Sequence, residues 1–491
     1  MTFLSFIDES AIETRAFIDG KFVQSRSGKT MQKYSSCTGQ PLAAVTQCGE
    51  EDVNAAVEAA KQAFESGIWS DKTLAERREI ILRLADLMEE HRDELARLDT
   101  YETCRAYRNY YYDSIPKAIE AVRYFAEAAD KIYDTAIPPQ KHSFGVVYRK
   151  PLGVVGIITP WNDPMVVGCW KTIPALLMGN TVVVKPAEQS SLSMLRTAAL
   201  AKEAGVPDGV WNVIPGLGEE AGRALAMHED VRGIFFTGSS ATGKQIIQYA
   251  GQSNMKHVGL ECGGKSPYIV TANCHDIKKA AQTLAANMFY NQGQICSAPS
   301  RVFVDSKIKD EFLKELFAAS ADYIPGDPYN IDNNVGCVVS EAQYDKVMQY
   351  IELGKREAGG WFSPEGEKDL PSGAKAVRPV IFYDVDNSAR ISQEEIFGPV
   401  VVVMSYQSTD EAVAAANDSP YGLAGAVWTD DLSEAYDIAG RIESGLVHIN
   451  SYGEDDNTSP FGGVKQSGWG KDKSVYAFDE YTELKSVWVH F

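Results

Sequence analysis

Val154-Val155-Gly156-Ile157-Ile158-Thr159 is a short, almost wholly apolar run that stops at Pro160-Trp161-Asn162-Asp163-Pro164. A strand buried on both faces reads this way, because neither face can carry polar side chains. The same pattern recurs at Thr181-Val-Val-Val-Lys185, Val210-Trp-Asn-Val-Ile214 and Gly233-Ile-Phe-Phe-Thr237. Helix-like segments at 170–178, 191–204 and 219–227 separate these runs. Four strands alternating with helices predict βαβ crossovers and a doubly wound α/β sheet, in which ligands bind beyond the carboxyl ends of the strands.

Those ends carry the polar residues. The first leads into Pro160-Trp161-Asn162, the second into Lys185-Pro186-Ala187-Glu188, and the fourth into Thr237-Gly238-Ser239. Lys185 and Glu188 form a cation and anion pair suited to the two hydroxyls of an adenosine ribose. Glu188 would also repel a 2′-phosphate, which favours NAD over NADP. Gly238-Ser239 opening a helix offers N–H groups and a positive dipole end to a pyrophosphate. The glycine-rich dinucleotide fingerprint is absent, and each of these positions also fits a plain helix cap or solvated strand end.

Upstream, residues 17–47 carry short β-like pieces such as Phe17-Ile-Asp-Gly-Lys-Phe-Val23. Apolar residues at helical spacing follow (Val53, Ala56, Val57, Ala60, Phe64; then Ile80, Ile81, Leu84, Leu87, Met88), with a further helix expected over 115–133. Downstream the alternation resumes with Pro267-Tyr-Ile-Val270, Arg301-Val-Phe-Val304 and Val400-Val-Val-Val403, and helices at 308–320 and 341–358. The tail 480–489 alternates like a strand, and together with 143–149 it predicts an extension that pairs with another subunit.

The totals narrow the function. The 491 residues are 44% apolar and 23% charged, as in a multi-domain globular protein, and the formal charge of −20 argues against nucleic acid. Eight scattered cysteines without a Cys-x-x-Cys pair or a zinc-ligand cluster fit a reducing compartment and no metal site. The amino terminus lacks a basic signal region and no apolar run is long enough to span a membrane, so the expectation is a cytoplasmic protein.

One cysteine stands apart. Cys296 follows an apolar helix-like run and a polar loop, Asn291-Gln-Gly-Gln-Ile-Cys296. Joined to Pro160-Trp-Asn-Asp-Pro, Leu260-Glu-Cys-Gly-Gly-Lys, Glu395-Ile-Phe-Gly-Pro and Ser459-Pro-Phe-Gly-Gly, in that order along most of the chain, it resembles the signature set of the NAD(P)-dependent aldehyde dehydrogenase superfamily. The resemblance implies three parts. These are a Rossmann-like coenzyme domain (1–128 and 152–262), an α/β catalytic domain (263–466), and a small β oligomerisation domain (129–151 and 474–491) that makes a homodimer or homotetramer.

It also implies a site. Cys296 would be the nucleophile, with the Asn162 amide and the Cys296 N–H as oxyanion donors and Glu261 as the base for thioester hydrolysis. Around the coenzyme it implies Thr159, Pro160, Trp161, Lys185, Glu188, Gly218, Gly222, Phe236, Thr237, Gly238, Ser239, Glu395 and Phe397.

The chain departs from that family's pattern at Asp163, where a large apolar residue is usual. It departs again at Cys262, and at Cys104-Arg105-Ala106, where Gly-Lys-Pro is common. Residues 113–116 and the segment from Ser459 onward look most like the subgroup acting on ω-aminoaldehydes and γ-glutamyl-aminobutyraldehyde. Asp163, Asp113, Trp170, Glu454, Asp455 and Phe461 are therefore expected around the substrate tail, where carboxylates beside aromatic faces would attract an ammonium or other polar group. The rival readings are a broad-specificity enzyme for neutral aldehydes, a CoA-acylating enzyme, a redox-sensing NAD binder, and a structural protein on the same fold.

Overall fold

The computed structural model describes residues 6–366, 368–453 and 456–491. Its first sheet has a parallel core in the spatial order His257–Glu261, Val231–Thr237, Val154–Ile158, Thr181–Lys185, Trp211–Val213. The chain builds outward from Val154–Ile158 on one side, then returns to its other side. This reversal leaves a crevice at the carboxyl ends of Val154–Ile158 and Val231–Thr237. Register sets the levels there: Ile158 lies beside both Lys185 and Phe236, and Thr237 beside Glu261.

All four expected strands are present. The fifth, His257–Glu261, is less apolar at its start (His257 is exposed), which hides it from a reading based on apolar runs. Short antiparallel additions flank the core. The hairpin Ala16–Ile18 and Lys21–Val23 extends one edge, and Gly468–Trp469 covers the other.

Side chains alternate across this sheet as the pleat requires. Val182 and Val184 enter one core with Ile157 and Trp211, and Val183 enters the opposite core with Ala56 and Ile234. Helix Glu50–Glu65 buries Val53, Ala56, Val57 and Ala60 as its spacing demands, and Asp52 closes its first turn by accepting from the Gly49 N–H at 2.9 Å. Helix Leu74–Glu90 is likewise closed by Thr73 and Glu76.

Three helix expectations need correction. The helix expected at 170–178 spans Pro164–Leu177, because Pro164 at its first position has no N–H to lose and suits helix initiation. That at 219–227 splits into a π turn, Gly218–Gly222, and the α-helix Arg223–Met227. That at 115–133 ends at Ala128 and passes into a 3-10 turn, Ala129–Lys131.

A second sheet runs in the order Ala358–Phe362, Val380–Val385, Val400–Tyr406, Arg301–Asp305, Pro267–Val270, Ala424–Trp428, Leu446–Ile449. All neighbours are parallel except the first pair. The chain segments leading into Pro267, Arg301 and Val400 carry the Glu261-to-Lys265, Cys296 and Glu395 motifs. This sheet therefore meets the first sheet's crevice with its amino ends.

A third sheet, Thr135–Gln140, Ser143–Pro151 and Thr482–His490, pairs the tail with the 143–151 strand from Thr482 opposite Pro151 to His490 opposite Ser143. Among the described residues no helix is long and apolar enough to cross a membrane.

Ile157 is fully buried in the strand at the centre of the crevice. Ile157→Ala should cost about 2–5 kcal/mol through the cavity it leaves. The expected readout is a lower midpoint of thermal unfolding.

Candidate active site

Cys296 sits at the end of an unusual backbone path. Asn291 and Gln292 are left-handed (φ 49° and 56°), Gly293 follows at φ 66°, and only then does the chain turn toward the thiol. Two consecutive non-glycine residues in that region are strained and persist only where the surroundings hold them. The holding groups are side-chain amides. Gln292 donates to the Val377 carbonyl (3.0 Å) and accepts from the Val377 N–H (2.8 Å). Gln294 donates to the Asn291 carbonyl (3.0 Å) and accepts from the Val339 N–H (2.9 Å). Glycines let the strands of this knot touch: a Cβ at Gly264 would lie 2.6 Å from the Cys296 carbonyl oxygen.

The thiol lies where two cavities meet. A cleft of 430 Å³ and a second cavity of 230 Å³ share Cys296, Asn162 and Thr237 as walls. Asn162 uses one amide hydrogen on the Gln294 carbonyl (3.1 Å). A primary amide has two.

The larger cleft occupies the crevice of the first sheet. Thr159, Pro160, Trp161, Lys185, Glu188, Gly218, Phe236, Thr237, Gly238, Ser239, Glu395 and Phe397 all line it. Gly222 does not. It lies behind the wall, where an added Cβ would stand 3.5 Å from the Lys185 stem.

Lys185 reaches Glu188 Oε1 at 3.3 Å, and the same oxygen accepts from the Gly218 N–H at 2.5 Å. Ser239 caps helix Ser240–Gln252 by accepting from the Thr242 N–H (3.2 Å). Phe397, itself left-handed (φ 57°), meets Trp161 edge to face with ring centroids 5.2 Å apart. Gln343 and Lys346 also face this cleft, a pair that motif reading missed. Their i, i+3 spacing on helix Glu341–Glu357 was the available signal, since it puts both on one face.

The second cavity is lined by Asp113, Asp163, Trp170, Phe461 and Glu261. Trp170 and Phe461 face one another at 5.6 Å. The expected loose carboxylates are not loose. Asp163 Oδ2 is 3.3 Å from Arg105 and accepts from Ser114 Oγ at 3.2 Å. Asp113 bonds Lys117 (2.8 Å) and Tyr290 (2.7 Å). Lys473 is a further wall residue. The cavity thus holds carboxylates and cations side by side, Asp163 with Arg105 and Asp113 with Lys117. Glu454 and Asp455 lie outside the described residues. Asp456 is engaged locally with the Thr458 N–H and hydroxyl.

Burial governs the charges. It pushes the Cys296 thiol up to about 12, with Glu395 and Glu261 adding to the rise and the backbone N–H groups of Ser297 and Cys296 opposing it. Glu261 is 4% exposed and, among the described residues, neither carboxyl oxygen has a hydrogen-bond partner. Burial and then Asp472 hold it well above the usual carboxylate range, against Lys171 and Lys471. Its Oε1 lies 2.5 Å from where a Cβ on Gly462 would stand, so only glycine leaves room there. Cys262 packs against Gly243 of helix Ser240–Gln252 and is also raised to about 12 by burial.

The comparisons agree with this geometry. The family model described as "Aldehyde dehydrogenase family" matches residues 22–487. NADP/NAD-dependent aldehyde dehydrogenase PuuC of Escherichia coli is 45% identical over 479 residues, 98% of this chain and 96% of that protein. The indole-3-acetaldehyde dehydrogenase AldA of P. syringae, solved in complex with NAD+ and IAA, superposes with a TM-score of 0.96 at 44% identity, covering 98% and 97% of the two chains. A γ-glutamyl-γ-aminobutyraldehyde dehydrogenase from Burkholderia cenocepacia gives 0.95 at 45% identity over 100% of both chains.

A thiol pushed up to about 12 is protonated at neutral pH. Without coenzyme, alkylation of Cys296 by iodoacetamide should therefore climb about tenfold per pH unit through pH 9. A plateau near neutrality would reveal a thiolate already formed. With the motif set, the crevice and these relatives together, the chain belongs to the aldehyde dehydrogenase family.

Proposed function

We propose that the chain oxidises an aldehyde to a carboxylic acid with NAD as hydride acceptor. The observation that carries this is the position of Cys296 and Asn162 on the seam between the crevice and the second cavity.

The crevice fits a dinucleotide in size and chemistry. Lys185 and Gly218 both bond Oε1 of Glu188, which leaves Oε2 as an acceptor for ribose hydroxyls. The same carboxylate disfavours a 2′-phosphate. Ser239 opens a helix of 13 residues whose N–H groups suit a pyrophosphate. Glu395, anchored by the Gly264 N–H at 3.2 Å, would hold the second ribose, and Phe397 would face the nicotinamide ring. Bound there, the coenzyme supplies the hydride acceptor.

The chain's own residues supply the rest. The Cys296 thiol gives its proton to solvent water and its sulfur attacks the carbonyl carbon. The oxyanion is met by the free hydrogen of the Asn162 amide and the Cys296 N–H. Loss of hydride leaves an acyl thioester on Cys296. Glu261 then takes a proton from water, which hydrolyses the thioester and frees the acid. A high proton affinity suits that task, because the base must compete for a water proton near neutrality.

The substrate tail is polar rather than simply cationic. Paired Arg105–Asp163 and Lys117–Asp113 groups beside Trp170 and Phe461 suit a tail with both donors and acceptors, such as a γ-glutamylamino group. A neutral alkanal would make fewer hydrogen bonds there. The chain is further read as a coenzyme unit, a catalytic unit and the three-stranded sheet. The sheet's exposed Phe144, Tyr148, Leu484 and Trp488 favour a homo-oligomer.

Four measurements test this. Cys296→Ala should abolish aldehyde-dependent NADH formation. Glu261→Gln should keep the first-turnover burst and lose about 10²–10⁴-fold in steady turnover. Because burial raises the Glu261 proton affinity, its ionisation moves to higher pH, so turnover should rise with pH in the native protein and stay flat in Glu261→Gln. Across γ-glutamyl-aminobutyraldehyde, 3-aminopropanal, indole-3-acetaldehyde and hexanal, the first should show the highest kcat/KM. A lead for hexanal would reject the polar tail.

A further inference from the structure

Arg105 is the point where the two halves of the site are tied together. It follows helix Arg92–Thr103 through the left-handed Cys104, and its side chain is 2% exposed. One guanidinium nitrogen donates to the Asn162 backbone carbonyl at 3.2 Å and lies 3.3 Å from Asp163 Oδ2. The other donates to the Tyr290 hydroxyl at 2.6 Å. The group also sits over two rings, 4.7 Å from Tyr110 and 4.9 Å from Tyr290.

Residue 162 belongs to the crevice loop of the first sheet. Residue 290 opens the strained turn that leads to Cys296. The same Asn162 carbonyl also accepts from Asn291 Nδ2 at 3.2 Å. The oxyanion donor and the nucleophile loop are therefore bolted to each other through one peptide carbonyl and one planar fork. A guanidinium can span such a pair because its donors diverge in a fixed plane. An ammonium on a flexible stem can neutralise Asp163 but cannot hold both sides at fixed spacing.

Asp163 gains a role as well. It stands at the N-cap of helix Pro164–Leu177 without capping it by its own side chain, and it carries the charge that keeps Arg105 in place. The two departures from the family pattern at 105 and 163 are thus one structural unit.

We propose that Arg105 is a positioning residue for aldehyde oxidation: through the Asn162 carbonyl and Tyr290 it fixes the oxyanion-donating amide relative to Cys296, with Asp163 as its counter-ion rather than as a binder of substrate cations. The assignment rests on the aldehyde-oxidation reading above.

The experiment follows the single-turnover NADH burst with saturating hexanal in the native chain, Arg105→Met, Arg105→Lys and Arg105→Met/Asp163→Asn. Misplacing an oxyanion donor by a fraction of its bond length should cut the burst rate and kcat about 10²-fold in Arg105→Met. NAD+ affinity and Cys296 alkylation should stay unchanged. Arg105→Lys should fall between the two. Removing the stranded carboxylate in the double variant should recover the thermal midpoint but not the burst.

Recovery of the burst along with the midpoint would mean that the pair only balances charge, and would overturn the proposal. A native burst rate in either single variant would do the same. If Arg105→Met does not fold, Arg105→Lys carries that judgement. Absence of any NADH burst in the native chain would instead sink the aldehyde-oxidation reading.

Discussion

The site depends on a backbone turn that would not hold its own shape. Asn291, Gln292 and Gly293 lie in the left-handed region in succession, and two of the three pay the steric cost of a Cβ. What holds them is a set of side-chain amides, Gln292 on Val377 and Gln294 on Val339, each bonded so that neither face of the amide is wasted. The same turn hands the Gln294 carbonyl to Asn162. Strain, nucleophile and oxyanion donor are therefore set by one knot. The surrounding sheets give that knot its stiffness.

Around it, the chain buries ionisable groups and pairs several of them. Lys171 meets Asp472, Arg105 meets Asp163, and Lys185 meets Glu188. Breaking a buried pair leaves an uncompensated charge, which is far more costly than never having built it. Glu261 carries no such partner: among the described residues neither of its carboxyl oxygens has a hydrogen bond. Burial raises the proton affinity of Glu261 and of the Cys296 thiol.

Much of the fold was legible along the chain. Buried parallel strands need apolar residues on both faces, so Val154–Ile158, Thr181–Lys185 and Val400–Tyr406 announce themselves. His257–Glu261 stayed hidden because its first residues reach the sheet's exposed end. The motif residues of the crevice could be named in advance because their chemistry is local: a carboxylate for hydroxyls, a glycine and serine at a helix start. Gly222, named through the family resemblance, stands behind the cleft wall against the Lys185 stem. Gln343 and Lys346 had no motif to flag them.

Sequence alone specified the alternating α/β order and the helix faces, because these follow from periodicity and from residue chemistry at short range, whereas Cys296 was singled out by the resemblance of its motif set to a known family. It could not say which ends of the second sheet face the crevice. Its amino ends do so, a matter of how two sheets are joined rather than of any local pattern. Nor could it say that Asp163 and Asp113 are already paired. Arg105 comes from a helix end far along the chain, and Lys117 from the next turn of its own helix, so whether a carboxylate is free is decided by what folds against it. The acidic composition near the substrate cavity suggested an ammonium site. In the fold Asp163 and Asp113 each stand beside a cation, as the burial of an anion favours.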